Sequence, residues 1–449
     1  MSSIVFYLAF LGAIGSGYAK PVSAIPSTLP LQNFTISQCE ANMDGHLPYS
    51  TPKGFEFTGN VRRYYVAAEY VNWDYAPTGW DNWLGVPMNE SWRAWEEGYI
   101  PSNTSLGTKY DKALYRGYTD STFTTLTEQP DWLGYQGPIL RAEVNDMIEI
   151  MFVNKMPEFW ANMHSMGLFY TKESEGSLYW NETSHVTEGD RVPPGGCFVY
   201  KWLVPESDAP HPGYASKLYS YHNYISMYQD QDAGLSGPVI IYNTGEMEKT
   251  MSENREFVVF LGDNQESNSF LAWHNVATYR PDLLDQFANL TDEYPKITSI
   301  GNESIWYPQL VNNPYNNITT DVLPNFFPLN GYIYANSPPF EMCQNENTIW
   351  YIWDMGFDTH VMHWHGNNVW ENNQNVGTVT INPGQATTVT MQPASYGFWH
   401  FLCHFNTHMW KGMEAIYIVY PEGECQLPPL SAFDPSTVTY NPTGEYSAA

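Results

Sequence analysis

The chain has 449 residues, with 48 Asp and Glu against 19 Lys and Arg, which gives a formal net charge of -29 at pH 7. Its length allows two or three domains with ample cores, while its negative charge argues against nucleic acid or an anionic membrane as a partner and favours cations. Aromatic residues make up 16% of the chain, charged residues only 15%, and long heptad patterns are missing. This combination predicts an all-β fold.

The N-terminal segment is typical of a secretory signal peptide, with an apolar core from Ile4 to Ile14 and small residues at Gly17 and Ala19. We assign residues 1–19 to it and expect a secreted, extracellular protein. No later segment is long and apolar enough to span a bilayer, so no membrane span is expected. Acceptor sequons for N-glycosylation, consistent with this route, are present at Asn33, Asn89, Asn103, Asn181, Asn289, Asn302 and Asn317.

Two repeats of one strand order follow. The first contains G-P-I-L-R-A-E-V-N-D-M-I-E-I-M-F-V-N-K, N-M-H-S-M-G, V-P-P-G-G-C-F-V-Y-K-W and G-L-S-G-P-V-I-I-Y; the second contains P-F-E-M-C-Q-N-E-N-T-I-W-Y-I-W, V-M-H-W-H-G, I-N-P-G-Q-A-T-T-V-T-M and G-M-E-A-I-Y-I-V-Y. Short strands of period two between Pro, Gly and Asn turns predict two tandem Greek-key β-sandwiches. We place the domains at 25–247 and 248–427. The Pro- and Ser-rich tail 428–449 is expected to be disordered.

The second repeat carries the strongest chemical signal, in W-H-F-L-C-H-F-N-T-H-M-W-K-G-M. This stretch supplies a thiol (Cys403), an imidazole (His408) and a thioether (Met413), and His360 adds a second imidazole from H-V-M-H-W-H-G. Two histidines, one thiolate and a weak axial methionine form a blue, type 1 copper site, because these ligands serve both Cu(II) and Cu(I). The alternative is a buried free cysteine in a β-core with incidental neighbours.

The copper hypothesis also bears on the five cysteines, an odd number for an oxidising compartment. If Cys403 is the metal ligand, the other four can form two disulfides. We favour Cys343 with Cys425, since both flank the second domain, which leaves Cys39 with Cys197. Sequence alone does not decide the connectivity.

These motifs resemble the multicopper oxidases, and within them the ceruloplasmin and hephaestin branch, over nearly the whole mature chain. V-R-R-Y-Y-V-A-A-E-Y-V-N-W-D-Y-A-P and Y-R-G-Y-T-D-S-T-F look like odd-numbered ceruloplasmin domains, and F-P-L-N-G-Y-I-Y to G-M-E-A-I-Y-I-V like the even-numbered, copper-bearing ones. The resemblance implies two plastocyanin-like cupredoxin domains. It assigns ligands by motif: His360, Cys403, His408 and Met413 to type 1 copper, His164 and His363 to type 2, and His222, His365 and His404 to type 3.

The chain departs from the family pattern at three imidazole positions, where Met166, Tyr224 and Leu402 stand instead. The resemblance implies that both type 3 coppers are affected, so a complete oxygen-reducing cluster is not expected. Two interpretations of the surviving histidines stay open. They are metal-free remnants satisfied by hydrogen bonds, or they form a remodelled centre with one or two further coppers, to which Cys403 and the adjacent His404 would conduct electrons.

The first domain should hold no type 1 copper, because Ala161 and Asn223 stand where the second domain has His360 and Cys403. Ferroxidase activity is known in this branch, and an acidic surface favours approach of Fe(II). Thr407, however, replaces an acidic residue of ceruloplasmin's iron site, which argues against iron as a specific substrate.

Three functional hypotheses result: a copper oxidoreductase that takes electrons from a metal ion or small organic reductant, a single-site electron-transfer or copper-carrying protein, and a structural protein. An intact type 1 set argues against the third. Because ceruloplasmin forms its cluster between successive domains of a ring, a two-domain chain would need self-association. We predict a homotrimer in which His164 and His222 of one copy face His363, His365 and His404 of another, with a monomer as the competing state.

Overall fold

The structure is a computed structural model that describes residues 34–177, 187–226, 228–283, 322–428, 430 and 438–440. The predicted signal peptide and five of the seven sequons lie outside these residues. Asn89 and Asn103 lie inside them and are exposed. Among the described residues, no helix has the length and apolar character needed to cross a membrane.

The first domain is a sandwich of two sheets. One sheet has the order β23-β1-β6-β8, with β4 also on β1 and with β23 formed by Val438–Tyr440, and the other has the order β5-β10-β9-β7. The strands are β1 Val61–Asp74, β2 Trp80–Asp81, β3 Val86–Pro87, β4 Lys109–Tyr118, β5 Leu140–Glu143, β6 Met147–Asn154, β7 His164–Met166, β8 Cys197–Leu203, β9 Ser216–His222 and β10 Ser236–Tyr242.

The second domain repeats this architecture with the sheets β11-β15-β20-β17-β18 and β14-β22-β21-β16-β19. Its strands are β11 Arg255–Leu261, β12 Asn264–Gln265, β13 Asn325–Phe326, β14 Phe340–Cys343, β15 Thr348–Asp354, β16 His360–Trp364, β17 Val369–Glu371, β18 Gln374–Val376, β19 Thr378–Ile381, β20 Ala386–Met391, β21 Gly397–Cys403 and β22 Glu414–Tyr420. The all-β prediction and the pair of tandem cupredoxin sandwiches are confirmed.

The helices are short. The α-helices are α1 Ile36–Asn42, α2 Trp92–Glu96, α3 Tyr228–Ala233, α4 Met247–Glu253, α5 Ala272–Tyr279 and α6 Asn406–Trp410, and the 3-10 helices are Met88–Glu90, Asp131–Leu133, Lys172–Ser174, Glu188–Asp190, Glu206–Asp208 and Pro281–Leu283. The boundary proposed after residue 247 falls at the start of α4. Within the tail predicted to be disordered, Val438–Tyr440 forms β23 and pairs with β1; most of the remaining tail lies outside the described residues.

Alternation along the strands decides which side chains enter the core. In β16, His360, Met362 and Trp364 are buried while the residues between them are half-buried. Successive side chains of a strand point to opposite faces, so His360 points inward and His363 outward. On the neighbouring β21, Cys403 is fully buried in the core of the second sandwich.

Both expected disulfides are present. Cys39–Cys197 ties α1 to β8, and Cys343–Cys425 ties β14 to the segment after β22. Cys403 is the only free cysteine among the described residues, and it is buried.

An ion pair joins the two domains. Arg93 in α2 donates to Asp81 through Nε at 2.8 Å and Nη2 at 2.7 Å, and to Glu414 of β22 through Nη1 and Nη2 at 2.9 Å. Its side chain is only 5% exposed, and both carboxylates are fully buried. Such bidentate pairs are geometrically specific, so the segment around α2 is fixed against the second sandwich.

Candidate metal centre

Three elements of the second domain meet at the predicted type 1 site. His360 begins β16, Cys403 ends β21, and the one-turn helix α6 carries His408. The turn after α6 contains Gly412 at φ +102°, where a Cβ would lie 2.8 Å from atoms of both Ile333 and Tyr334. Glycine is therefore required for the turn that returns the chain to the site at the following residue, Met413.

His360, Cys403 and His408 form a buried triangle. Cys403 Sγ lies 3.9 Å from His360 Nδ1 and 3.8 Å from His408 Nδ1, and the two Nδ1 atoms are 3.2 Å apart. A first-row ion bound at roughly 2.0 Å to nitrogen and 2.3 Å to sulfur leaves nitrogens about 3.3 Å apart and nitrogen and sulfur about 3.6 Å apart. The three side chains thus match the spacing for one ion, and Met413 is fully buried in the same core.

The environment favours the thiolate form of Cys403. Burial alone would raise the pKa of the thiol, but hydrogen bonds from His360, His408 and the Val361 amide lower this pKa to about 6. The Val361 and Phe405 amides donate to Sγ at 3.4 and 3.5 Å. The thiolate is the form that binds metal.

Two buried carboxylates lie behind His360. Asp263 Oδ1 is 3.5 Å from His360 Nε2, Asp354 Oδ2 is 3.8 Å away, and all three side chains are fully buried. Although burial opposes the charged imidazole, these carboxylates and the Cys403 sulfur raise the pKa of His360 to about 10. Carboxylates at the distal nitrogen fix the orientation of a ligand imidazole and increase its basicity.

Asp263 and Asp354 were not identified from the sequence, although their positions at the ends of two predicted strands could have indicated them. β11 and β15 are parallel and pair Leu261 with Asp354. Asp263 follows β11 by two residues, so both acids lie at the carboxyl ends of adjacent buried strands.

The other imidazole, His408, is buried but contacts an exposed residue. Its ring stacks on Phe327, with centroids 4.3 Å apart, and lies against Phe405. His408 itself is 1% exposed, but Asp358, whose Oδ2 is 3.4 Å from His408 Nε2, is 43% exposed. A carboxylate therefore contacts this imidazole although Thr407 replaces the acidic residue considered from the sequence.

His363, His365 and His404 form a second group on the outer face of the same sheet. Their ligand nitrogens lie within 4.8 Å of one another, His363 and His365 are half-buried, and His404 is exposed. His363 Nδ1 contacts the Gly377 carbonyl oxygen at 2.6 Å, which leaves Nε2 available. Leu402 pairs with His363 in the β-ladder and is buried.

The first domain brings His164 and His222 together, with ring centroids 5.4 Å apart. Each Nδ1 contacts a backbone carbonyl, at 2.6 Å from Glu175 O and 2.8 Å from Asn223 O. Burial lowers the pKa of His164, and it lowers that of His222 to about 4. Both rings are therefore neutral near pH 7, as metal-binding imidazoles must be.

In the first domain, other residue types stand at the positions where the family motif or the second domain has metal ligands. Tyr224 lies 5.4 Å from the ring of His164 and 5.5 Å from that of His222 and is 37% exposed. Asn223 Oδ1 accepts the Asn162 amide at 2.6 Å, and Ala161 is buried. Met166 is half-buried.

The two histidine groups are not brought together within one chain. His164 and His222 lie on the sheet whose strand β9 packs against β15 and β20, whereas His363 and His404 lie on the outer face of the opposite sheet of the second sandwich. In the described part of the chain, no set of three metal-binding groups combines the two.

This fold is that of the cupredoxins, and the donor set of His360, Cys403, His408 and Met413 is the one expected of a type 1 copper site. Residues 307–423 match the family model described as multicopper oxidase. The chain is 30% identical to hephaestin of Mus musculus over 377 residues, which covers 80% of this chain and 30% of hephaestin, and 29% identical to ceruloplasmin of Rattus norvegicus over 373 residues, with 80% and 32% covered. The resemblance to the multicopper oxidases is confirmed.

The chain spans about a third of the length of these relatives. Among solved structures, the multicopper oxidase mgLAC is similar with a TM-score of 0.47 and 14% identity, over 82% of this chain and 88% of that one.

Proposed function

We propose that the protein is a secreted copper-dependent oxidoreductase that takes electrons from a metal ion or a small organic reductant at a type 1 copper. The observation that carries the proposal is the buried triangle of His360, Cys403 and His408, whose spacing suits one ion. Bound copper would supply one-electron redox chemistry at this position. The relatives support a copper oxidoreductase in general terms.

The side chains around the triangle have separable tasks in this proposal. Cys403 supplies a thiolate, and the carboxylates of Asp263 and Asp354 hold His360 in place from its distal nitrogen. The surrounding core excludes water, since His360, Cys403 and Met413 are all fully buried. Cys403 and His404 are adjacent in sequence, so the backbone directly joins this site to the outer histidine group.

The reductant would bind next to His408 and donate its electron there. Asp358 is the exposed group nearest this imidazole, and a carboxylate there attracts a cation. Phe405, which is 41% exposed, lies against the same ring and offers contact area to an aromatic reductant, whereas Phe327 stacks on the ring from within the core. Thr407 still argues against a dedicated iron site of the ceruloplasmin type.

The outer histidine groups would form a remodelled centre between copies of the chain. A single copy keeps them on separate faces, and a homotrimer would place His164 and His222 of one copy against His363, His365 and His404 of the next. The carbonyl contacts that orient His164, His222 and His363 leave each Nε2 free, as in metal-binding imidazoles. With Met166, Tyr224 and Leu402 in ligand positions, full four-electron reduction of oxygen is not expected.

Secretion and glycosylation belong to the same proposal. Two disulfides are present, and disulfides persist in oxidising compartments. The exposed Asn89 and Asn103 are accessible to glycosylation.

The second candidate function is a single-site electron-transfer or copper-carrying protein without turnover. The separation of the two histidine groups within one chain favours it. Copper counting combined with absorption and EPR spectra distinguishes the two: more than one copper per chain with turnover of a reductant supports the oxidoreductase, and one blue copper without oxygen consumption supports the carrier. Light scattering should give a trimer mass for the first. Absence of an intense thiolate band in copper-loaded protein would rule out both.

A further inference from the structure

Two tryptophans of α2 are exposed on the surface of the first domain. Trp92 is 61% exposed and Trp95 is 54% exposed. The two residues between them, Arg93 and Ala94, are buried, so α2 packs through its inner side and presents both indoles outward. Neighbouring exposed apolar side chains of this size mark a surface that another group covers. None of the predicted copper sites uses this surface.

The glycosylation sequon that starts at Asn89 lies directly before this helix. Asn89 is exposed and belongs to the 3-10 helix Met88–Glu90, which leads into α2. The indole Nε1 of Trp95 donates to the Asn89 carbonyl oxygen at 2.8 Å, so one edge of this ring contacts the residue that would carry the sugar. Among the described residues, the side-chain amide of Asn89 has no hydrogen-bond partner. Its nitrogen is therefore available for modification.

The hydroxyl of the same sequon is engaged in the folded protein. Ser91 Oγ donates to Asp81 Oδ2 at 2.7 Å and accepts the Ala94 amide at 3.4 Å, and Ser91 is fully buried. The acceptor sequence for N-glycosylation includes this hydroxyl. The sugar must therefore be attached before α2 has packed, and the chain then folds with the glycan already in place.

The attached glycan suits this surface better than a separate partner does. A glycan on Asn89 would stand within any contact that a protein or a lipid surface made with the two indoles, whereas its own first sugars begin beside them. The face of a pyranose carries C–H groups, and contact with an indole face removes apolar area of both from water. Trp95 also lines a polar cavity of about 390 Å³ with Glu96 and Thr104, whose oxygens can accept hydrogen bonds from sugar hydroxyls.

We propose that the first N-acetylglucosamine residues of an N-glycan on Asn89 pack on Trp95 and Trp92 and hold α2 in place. Trp92 lies against Trp410 of α6, with ring centroids 4.3 Å apart, and α6 also carries His408. The glycan would thus support from outside the helix that presents a type 1 ligand. The inference rests on the secreted route in the proposed function and gives one of its modifications a structural role.

The test measures how fast endoglycosidase H trims each glycan of the folded full chain, secreted by cells that make only high-mannose glycans. The enzyme cuts between the first two sugars, which a core packed on Trp95 would protect. Mass spectrometry gives the rate at each sequon. We expect Trp95→Ala to raise the rate at Asn89 about tenfold, which corresponds to about 1.4 kcal/mol, and to leave the rate at Asn103 unchanged. Trp370→Ala is the matched control, because Trp370 is 50% exposed on β17 of the second domain, and it should change neither rate.

A second measurement does not depend on the stability of a variant. The acetyl methyl group of the first sugar on Asn89, labelled with carbon-13, should resonate upfield of its position in the free glycan because of the indole ring current. Trp95→Ala should abolish this shift. If Trp95→Ala does not fold, the shift in the wild type decides the question.

The failures of the inference and of the proposed function are distinguishable. Secreted protein without a sugar on Asn89, an unshifted methyl resonance, or equal trimming rates in wild type and Trp95→Ala would overturn the inference alone. Faster trimming at Asn103 instead of Asn89 would assign the indoles to the other glycan and would also overturn it. A missing blue band in copper-loaded protein whose Asn89 glycan is protected would overturn only the proposed function.

Discussion

Removing the negative charge of Asp263 should raise the reduction potential of the type 1 site. Asp263 Oδ1 is 3.5 Å from His360 Nε2, and an ion on the opposite nitrogen would be about 7 Å from this oxygen. At an effective dielectric constant of about 20, one unit charge at that distance contributes about 2.4 kcal/mol. For one electron this is ~100 mV, because 1.4 kcal/mol corresponds to about 60 mV. The Asp263 side chain is fully buried, so water screens it little.

The assay is a potentiometric titration that follows the blue absorption band of Asp263→Asn. Asn retains the shape and the hydrogen-bonding oxygen, which accepts the amides of Phe357 and Asp358. Asp358→Asn is the matched control: its carboxylate faces the other ligand imidazole but is 43% exposed, so its effect should be at most about a third as large. A shift below about 20 mV, or a decrease, in fully copper-loaded Asp263→Asn would refute the electrostatic argument.

The other predictions concern colour, stability and pH. Cys403→Ser should abolish the blue band while the far-UV circular dichroism spectrum stays unchanged; a retained band would exclude Cys403 as the ligand. Gly412→Ala should lower the free energy of unfolding by about 3 kcal/mol in urea, because of both its positive φ and its close neighbours, while Gly423→Ala, with φ +82° and open space, should lower it by only about 1 kcal/mol. Because the pKa of His222 is lowered to about 4, the unfolded chain takes up the proton first as pH falls. The metal-free protein should lose about 2 kcal/mol between pH 8 and 5 from this group, and His222→Gln should show a correspondingly flatter profile.

The fold was accessible from sequence because its signals are local. Strand alternation and turn residues define each sandwich, and the disulfide pairing that we favoured, which sequence alone did not decide, is the one present. The structure also brings His360, Cys403 and His408 together. Sequence could predict this group because Cys403 and His408 are only five residues apart and His360 stands on the strand that pairs with the Cys403 strand. Whether they hold copper stays a prediction.

Other features of the site depend on pairings that sequence spacing does not reveal. Asp263 and Asp354 are 91 positions apart and meet at His360 only because β11 and β15 are parallel neighbours. His400 faces His365 through an antiparallel register, and Trp83 reaches it from the other domain. A shift of one residue in that register would turn these side chains to opposite faces.

The ion pair of Arg93 has a consequence for the modularity of the chain. The second sandwich depends on Arg93 of the first domain as the counterion of Glu414. If residues 248–427 were expressed alone, the Glu414 carboxylate would lose this partner while its surroundings in the second sandwich stayed the same. That carboxylate immediately follows Met413. The second sandwich is therefore not an independent module. If it were transferred to another protein without the segment around α2, it would contain an unpaired carboxylate directly beside the predicted copper ligand Met413.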